Sequence, residues 1–309
     1  MTVFIESLDI DKYKWIDTRF DLGDAEARRK LYEKEHVEGA IYWDLEKNLS
    51  DMAAVAGRHP MPSKQQLTEL MQASGLKKDD SIILYDQGGS PYAARAWWIL
   101  KYCGFENAFI SKKGFDGLKQ QGIALSAELP HITPTNEQLE FNEEIYADQN
   151  DVKKIVDGRD LGILLDARSA ERYAGLNEPI DKIAGRIPGA HNYGWSQLVK
   201  NGEFHDQEDF TEVLQKNEPA IVYCGSGVTA APLYAMLAEK GFDQLRLYTG
   251  SYSDWISNAE NVVEFDREEM ADISAADSKD VLAKLIEEGY TGEMLMKKFE
   301  YEKSLLEEK

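Results

Sequence analysis

Cysteine is scarce in this sequence, which has only Cys103 and Cys224 among its 309 residues. Two thiols cannot form a disulfide framework, and no paired-cysteine metal pattern is present, so we expect neither cross-links nor a bound metal. This usage is typical of a reducing compartment, and the sequence therefore predicts a cytoplasmic protein whose thiols stay free.

Basic residues are also few, because 35 Lys and Arg stand against 56 Asp and Glu, which gives a formal net charge of −21. Nucleic acids and anionic membrane surfaces are bound through clustered Lys and Arg, so neither is an expected partner. An anionic small substrate would need a pocket whose local field has the opposite sign to that of the whole protein.

Long apolar runs are absent as well. No stretch approaches the ~20 apolar residues of a membrane-spanning helix. The first residues, MTVFIESLDIDKYKW, contain acidic side chains and no sustained apolar segment, so no signal peptide is expected. The length and the 43% hydrophobic content suffice for two domains with their own cores.

The sequence repeats itself once. Asp17 and Ala40 are 23 positions apart in the first half, and Asp166 and Ala190 are 24 apart in the second. The apolar runs SIILYD and PAIVYC follow in the two halves, and a Gly-Phe pair lies 18 and 17 positions after them. Landmarks that keep this register indicate a duplicated domain.

Each copy alternates short apolar runs with segments of helical period. In the second copy, GILLDAR, AIVYC and LRLYTG are typical of buried strands, and AAPLYAMLAEKGF is typical of a helix closed by glycine. The sequence therefore predicts an α/β fold with two domains, 1–135 and 136–270, each a mostly parallel sheet flanked by helices. A C-terminal helical extension is expected over 271–309, packed on its own body or forming a partner contact such as a homodimer interface.

The loop after AIVYC is where a parallel sheet places its ligand, since ligands bind at the carboxyl ends of strands. Its residues GSGVTA match the dinucleotide pattern, but the next strand, LRLYTG, does not end in the acid that would hold a ribose. A phosphatase loop of the C-x5-R type would need arginine where this chain has Ala230, and arginine is the group that grips the phosphate.

A third interpretation is a loop that carries sulfur on a thiol. Cys224 lies at a strand end ahead of a helix, and Gly225 and Gly227 allow the tight curvature that turns backbone N–H groups toward one anion. Such a ring favours thiolate over thiol and stabilises a persulfide, while Ser226 and Thr229 add hydroxyl donors. The alternative is a buried cysteine without chemistry. The first copy has Asp86 at the matching position, and Cys103 lies in an apolar helical segment, where we expect a core residue.

The sequence resembles the tandem-domain rhodanese family from about Asp9 to Ala259. The motifs that carry the resemblance are GRIPGA and EHVEGA, one in each copy, the loop CGSGVTA, and TGSYSDW after it. The resemblance implies two rhodanese-like domains, of which the first is inactive and the second forms a persulfide on Cys224, with no cofactor.

The resemblance also implies a substrate. Gly-Ser after the cysteine is usual in 3-mercaptopyruvate sulfurtransferases, whereas thiosulfate sulfurtransferases usually have two basic residues there. We therefore expect sulfur to pass from 3-mercaptopyruvate through Cys224 to a thiol or to cyanide. Thiosulfate:cyanide transfer and a non-catalytic interaction module are the alternatives.

Further site residues follow from the same resemblance. Arg172 matches a family arginine that binds the substrate carboxylate, and the loop from Gly225 through Ser226, Gly227 and Val228 to Thr229 is expected to hold the substrate's reacting end. A second arginine is usual after the Glu-Pro pair, where this chain has Ile180, and Arg186 in GRIPGA is a candidate replacement.

Two residues of the first copy complete the expected site. His59 in GRHPMPS and Glu46 in YWDLEK match a family histidine and a family carboxylate, and both are candidates for a proton relay near the persulfide.

Overall fold

The computed structural model describes residues 1–205 and 209–266. The predicted helical extension over 271–309 lies outside the described residues. The first half contains seven strands: β1 (Phe4–Ile5), β2 (Lys14–Asp17), β3 (His36–Val37), β4 (Ile41–Tyr42), β5 (Ile82–Tyr85), β6 (Ala108–Ser111) and β7 (Leu125–Ser126). Its helices are α1 (Ala25–Lys34), α2 (Lys64–Ala73), α3 (Tyr92–Tyr102) and α4 (Phe115–Gln120).

The second half, which follows a 3₁₀ turn at Glu143–Ile145, repeats this alternation. Its strands are β8 (Tyr146–Ala147), β9 (Ile163–Asp166), β10 (His191–Asn192), β11 (Val199–Lys200), β12 (Glu203–Phe204), β13 (Ala220–Tyr223) and β14 (Leu245–Tyr248). Its helices are α5 (Gln149–Val156), α6 (Ala170–Ala174), α7 (Ala230–Glu239) and α8 (Ser251–Trp255), with a 3₁₀ turn at Trp195–Leu198.

Two five-stranded sheets of the same topology confirm the predicted fold class. The first has the order β1-β6-β5-β2-β4 and the second has β8-β14-β13-β9-β10, so corresponding strands occupy corresponding places. Every pairing within the two sheets is parallel, and Asp17 lies opposite Tyr85 as Asp166 lies opposite Tyr223. Two short antiparallel pairs, β3 with β7 and β11 with β12, lie outside them. The predicted boundary at residue 135 falls between the two sheets and stays a prediction.

The central strands β5 and β13 are apolar and buried along their whole length, as expected where helices cover both faces of a parallel sheet. Capping boxes start two of the surrounding helices, with Ser63 and Gln66 at α2 and Asp148 and Asp151 at α5. The predicted glycine after α7 is Gly241, which has φ +82 and ends the helix in the left-handed conformation.

One hydrophobic cluster spans the two halves, and each half has a second cluster of its own. Helices α3 and α7 pack against each other, and the ring of Tyr234 lies 6.2 Å from that of Trp97 and 6.4 Å from that of Trp98. Cys103 follows α3 and is 0% exposed, which confirms its predicted place in the core. Burial raises the pKa of its thiol well above the usual range.

Each half also covers the loop that follows the central strand of the other half. Segment 51–60 of the first half, closed by the bond from Asp51 N to Pro60 O, reaches the loop after β13. In return, the turn between β11 and β12 lies against the loop after β5, so that a Cβ on Gly88 would be only 2.9 Å from Gly202 O. The loop after β13 is therefore a site to which both halves contribute.

Candidate active site

Cys224 is the first residue after β13 and is held by the turn that follows β14. Its N–H donates to Ser251 Oγ (3.0 Å), and its carbonyl accepts from Tyr252 N (3.0 Å). Ser251 has φ +56, a left-handed conformation that is uncommon for a residue with a side chain. Two neighbouring βα turns therefore fix the backbone of the cysteine at the carboxyl edge of the sheet.

The sulfur of Cys224 receives a backbone hydrogen bond. Gly227 N lies 3.2 Å from Sγ, and Ser251 Oγ lies 3.9 Å from it. Gly227 adopts φ +77, and a Cβ there would lie 2.0 Å from Thr249 O, so only glycine fits the curve that turns this N–H toward the sulfur. One amide of the predicted ring is thus in place, and a hydroxyl lies beside it.

His59 and Ser226 are brought together across the two halves. His59 Nδ1 lies 3.0 Å from Ser226 Oγ, although 167 residues separate them in the sequence. Burial lowers the pKa of His59 to about 4, with further contributions from the charges of Arg95 and Arg58. The imidazole is therefore neutral at neutral pH, and its Nδ1 accepts from or donates to the Ser226 hydroxyl according to the tautomer.

Arg172 reaches the loop from α6, and Arg58 reaches it from the first half; the substrate-binding role of Arg172 stays a prediction. Both guanidinium groups lie over Gly225, where a Cβ would be 2.5 Å from Arg58 Nη2 and 3.2 Å from Arg172 Nη2. The Cys224 residue is only 1% exposed. The side chains over its loop nevertheless include two cations, so the sulfur is not enclosed by apolar groups alone.

The two arginines are held by two carboxylates of the second half. Arg172 Nε donates to Glu178 Oε2 (2.9 Å) and its Nη2 to Asp181 Oδ2 (2.8 Å). Arg58 Nη1 donates to Asp181 Oδ1, and Arg58 N donates to Ser253 Oγ (3.1 Å). These pairs fix two guanidinium groups beside the cysteine before any substrate is bound.

Arg95 is a third cation at the site, and sequence reasoning missed it. It belongs to α3 and is 0% exposed, and its guanidinium donates to Gly227 O and to Leu49 O at 3.3 Å each. Burial lowers its pKa to about 10, and the Cys224 charge acts in the opposite direction. A lone arginine in the apolar segment YAARAWWIL was the available signal, because a charged residue is almost never fully buried without a partner.

Arg186 and Glu46 have other surroundings. Arg186 binds Glu264 and Asp266 (2.8 Å each) and stacks on the ring of Tyr173 at 4.4 Å. Glu46 is half-buried, and its N–H donates to Asp44 Oδ1 (2.9 Å). Within 1–205 and 209–266, neither side chain has a hydrogen bond or an ion pair to the cysteine loop. Their proposed roles stay predictions, and the contacts of Arg186 show a structural function for it.

The remaining loop residues take ordinary backbone roles. Val228 is buried and its carbonyl accepts from Ala231 N (3.2 Å) at the start of α7, whereas Thr229 precedes α7 without a side-chain capping bond. In the part of the chain that the structure describes, no group of three or more His, Cys, Asp or Glu side chains could hold a metal ion.

Comparison with known proteins connects this geometry to a family. A family model described as the rhodanese-like domain matches the chain twice, over residues 2–121 and 148–258. The chain belongs to the rhodanese-like family. The resemblance seen in the sequence is thereby confirmed, and both halves are rhodanese-like domains.

Individual relatives agree with this assignment. A probable 3-mercaptopyruvate sulfurtransferase of Pseudomonas aeruginosa is 35% identical over 253 residues, which are 79% of this chain and 89% of the relative. A putative thiosulfate sulfurtransferase of Mycobacterium tuberculosis is 33% identical over 261 residues, 80% of this chain and 89% of that protein. The solved 3-mercaptopyruvate sulfurtransferase from Leishmania major has a TM-score of 0.73 at 25% identity, covering 83% of this chain and 74% of that one. As a class, this rhodanese-like protein is a sulfurtransferase.

The first rhodanese-like domain has a different group where the second has its cysteine. Asp86 Oδ1 accepts from Gly88 N (2.8 Å) and Oδ2 from Ala93 N (3.1 Å), so the carboxylate holds the first turn of α3. Burial raises the pKa of Asp86 to about 6. The carboxylate therefore organises its own loop, and the inactivity of this domain stays a prediction.

No helix in the part of the chain described here is long and apolar enough to cross a bilayer.

Proposed function

We propose that this chain transfers a sulfane sulfur from 3-mercaptopyruvate, through a persulfide on Cys224, to a thiol or to cyanide. The observation that carries the proposal is the N–H of Gly227 directed at Cys224 Sγ, beneath the guanidinium groups over Gly225. A backbone donor at the sulfur stabilises an anion there, and cations beside it suit a donor that carries a carboxylate.

In the first half-reaction the Cys224 thiolate attacks the sulfur of the donor. The new S–S bond forms as the donor's C–S bond breaks, and the electron pair of that bond leaves with the enolate of pyruvate. The proton of the donor's thiol ends on the methyl carbon of pyruvate, and Cys224 retains the sulfur as a persulfide anion. In the second half-reaction, cyanide attacks the outer sulfur and thiocyanate leaves, which regenerates the thiolate.

His59 and Ser226 supply the proton relay of the first half-reaction. Ser226 follows Cys224 and Gly225 in the loop, and its hydroxyl forms a hydrogen bond with the neutral His59. The single O–H of Ser226 donates to the developing enolate oxygen, while the Nδ1–H tautomer of the neutral imidazole donates to the Ser226 oxygen. Glu46 is not needed for this step.

The test is intact-protein mass spectrometry after treatment with each donor. A persulfide adds one sulfur atom, about 32 Da, to the chain. Cys224→Ser is expected to abolish both the mass gain and turnover, whereas Cys103→Ser, a change in the core away from the loop, is expected to retain both. Turnover by Cys224→Ser would refute the mechanism.

The preferred donor is identified by measuring the specificity constant for each donor. We expect a higher specificity constant for 3-mercaptopyruvate than for thiosulfate, since Arg58 and Arg172 are already matched by Glu178 and Asp181 and leave little excess charge for a dianion. Preference for thiosulfate would overturn the donor, and absence of a persulfide with either donor would support a non-catalytic module.

A further inference from the structure

The resemblance implies a second substrate-binding arginine in the second domain, and the position implied for it has no cation. Ile180 occupies the position after the Glu-Pro pair and is 58% exposed, and its N–H donates to Glu178 Oε1 (3.1 Å). An alkyl side chain cannot bind a carboxylate. The second candidate, Arg186, is engaged by Glu264 and Asp266. Neither residue supplies a second cation for the donor, whereas another guanidinium group, that of Arg58, lies over the loop.

We propose that Arg58, supplied by the first domain, is the second guanidinium that binds the donor's carboxylate, alongside Arg172 and in place of the arginine that Ile180 replaces. The inference rests on the proposed function, because it assigns a residue to the binding of that donor. The two arginines reach the same point from opposite domains.

The geometry over Gly225 supports this assignment. The position of a Cβ on Gly225 is 2.5 Å from Arg58 Nη2, 3.2 Å from Arg172 Nη2 and 3.4 Å from Arg172 Nη1. Because the nitrogens of both guanidinium groups lie within 3.4 Å of this one position, they are close enough together to bind the two oxygens of one carboxylate. Gly225 adjoins Cys224, so a three-carbon donor anchored there by its carboxylate places its sulfur within reach of the thiolate.

The hydrogen bonds leave donors for the substrate. Arg58 uses Nη1 for Asp181, and Arg172 uses Nε and Nη2 for Glu178 and Asp181. Among the described residues, Arg58 Nη2 and Arg172 Nη1 have no hydrogen-bond partner. The side chains of Asp181 and Glu178 are only 3% exposed, whereas those of Arg58 and Arg172 are 29% and 16% exposed. The carboxylates that hold the arginines are thus buried, while both guanidinium side chains remain partly accessible to a substrate.

The mutual repulsion of the two guanidinium groups favours the binding of an anion between them. The pKa of Arg58 is lowered first by burial and next by the positive charge of Arg172, while the charges of Cys224 and Glu178 act against this. A bound carboxylate would offset the repulsion between the two guanidinium groups. Because a guanidinium binds a carboxylate through two parallel N–H groups, an arginine is favoured over a lysine at such a site.

The test compares two donors that differ in one group. 3-Mercaptopyruvate carries the carboxylate, and mercaptoacetone has a methyl group in its place. Single-turnover persulfide formation on Cys224 is followed by mass for the wild type, Arg58→Met and Arg58→Lys. Arg159→Met is the matched control, because Arg159 is an exposed arginine whose ion pair with Asp157 lies outside the site.

We expect Arg58→Met to lower the specificity constant for 3-mercaptopyruvate about 10- to 100-fold, the usual effect of losing a charge-assisted hydrogen bond, while mercaptoacetone reacts within about twofold of the wild type. The specificity constant of Arg58→Lys for 3-mercaptopyruvate should lie between those of the wild type and Arg58→Met, and that of Arg159→Met should match the wild type. If Arg58→Met does not fold, Arg58→Lys alone decides the question through the ratio of the two donors.

The outcomes separate the inference from the function on which it rests. An equal loss for both donors, or no loss for either, would overturn the role of Arg58 while a persulfide on wild-type Cys224 preserved the proposed function. If the wild type forms no persulfide with either donor, the proposed function itself fails.

Discussion

Replacing the buried Arg95 by methionine should slow the chemistry of Cys224 without unfolding the protein. Arg95 is fully buried, and no carboxylate among the described residues pairs with it; its guanidinium donates to the carbonyls of Gly227 and Leu49. Methionine has a similar length and no charge. Arg95→Met therefore removes a positive charge near the sulfur while the space stays filled.

The cost to stability can be worked from the burial of the charge. Burial lowers the pKa of Arg95 from 12.5 to about 10, so keeping it protonated in the folded protein costs about 3 kcal/mol. Two hydrogen bonds to a charged donor return roughly the same amount, about 1.5–3 kcal/mol each. We therefore expect the free energy of unfolding of Arg95→Met to stay within about 2 kcal/mol of the wild type.

The loss of the Arg95 charge should affect the Cys224 thiolate more than it affects the free energy of unfolding. Arg95 Nη1 bonds to Gly227 O (3.3 Å), and Gly227 N bonds to Cys224 Sγ (3.2 Å), so at most about 10 Å separates the charges. At an effective dielectric constant of about 20, that distance corresponds to an attraction of about 1.7 kcal/mol, or more than tenfold in an equilibrium. Burial prevents salt from screening it.

The assay is alkylation by iodoacetamide at pH 7, located on Cys224 by mass, together with denaturant unfolding. We expect the rate constant for Arg95→Met to fall about tenfold, and Arg95→Lys, which keeps the charge, to retain most of the wild-type rate. An unchanged rate in folded Arg95→Met would refute the electrostatic reasoning. A loss of stability above about 4 kcal/mol would refute the compensation between burial and hydrogen bonding.

Three further predictions concern the loops and the relay. Gly227→Ala should lower stability by more than about 3 kcal/mol in thermal unfolding, since its Cβ would meet Thr249 O at 2.0 Å, whereas Gly241→Ala, with nothing within 4 Å, should cost only about 1 kcal/mol. Burial raises the folded-state pKa of Asp86 to about 6, so its protonation stabilises the fold below pH 4, and this contribution is lost as pH rises through 6. Asp86→Asn should therefore reduce the stability difference between pH 4 and pH 8 by about 3 kcal/mol in denaturant titrations. The His59 pKa of about 4 keeps the imidazole neutral above pH 5.5, so His59→Gln should lower turnover by the same factor from pH 5.5 to 8, and a loss confined to the acidic end would contradict the relay.

The fold was predictable because its determinants are local and repeated. Short, mostly apolar runs bounded by turn signals form β9, β13 and β14, and the segment of helical period between the last two forms α7. Matching landmarks in the first half then implied a second sheet of the same order. The position of Cys224 at the edge of the sheet followed from the general rule for parallel strands.

The composition of the site was only partly predictable. The loop residues and Arg172 are close to Cys224 in sequence or carried by a motif. Arg58 and Arg95 reach the loop only through the packing of one domain on the other, and 132 residues separate Arg95 from its partner Gly227. No periodicity or spacing encodes such a contact. Arg186 shows the converse, since a suitable residue next to a motif is used by Glu264 and Asp266 instead.

The duplication explains how a loop without a cation can hold anions. Between Gly225 and Thr229 the second domain has no basic residue, so its own contribution to an anion is the backbone N–H of Gly227 and, from α6, Arg172. The first domain adds Arg58 and the neutral His59 from segment 51–60, and Arg95 from α3. In the equivalent loop of the first domain, Asp86 accepts the backbone hydrogen bonds, and the β11–β12 turn lies against that loop. The first domain, which has Asp86 where the second has Cys224, thus supplies charge to the site of the second domain, and separating the two domains should remove activity even where each sheet remains folded.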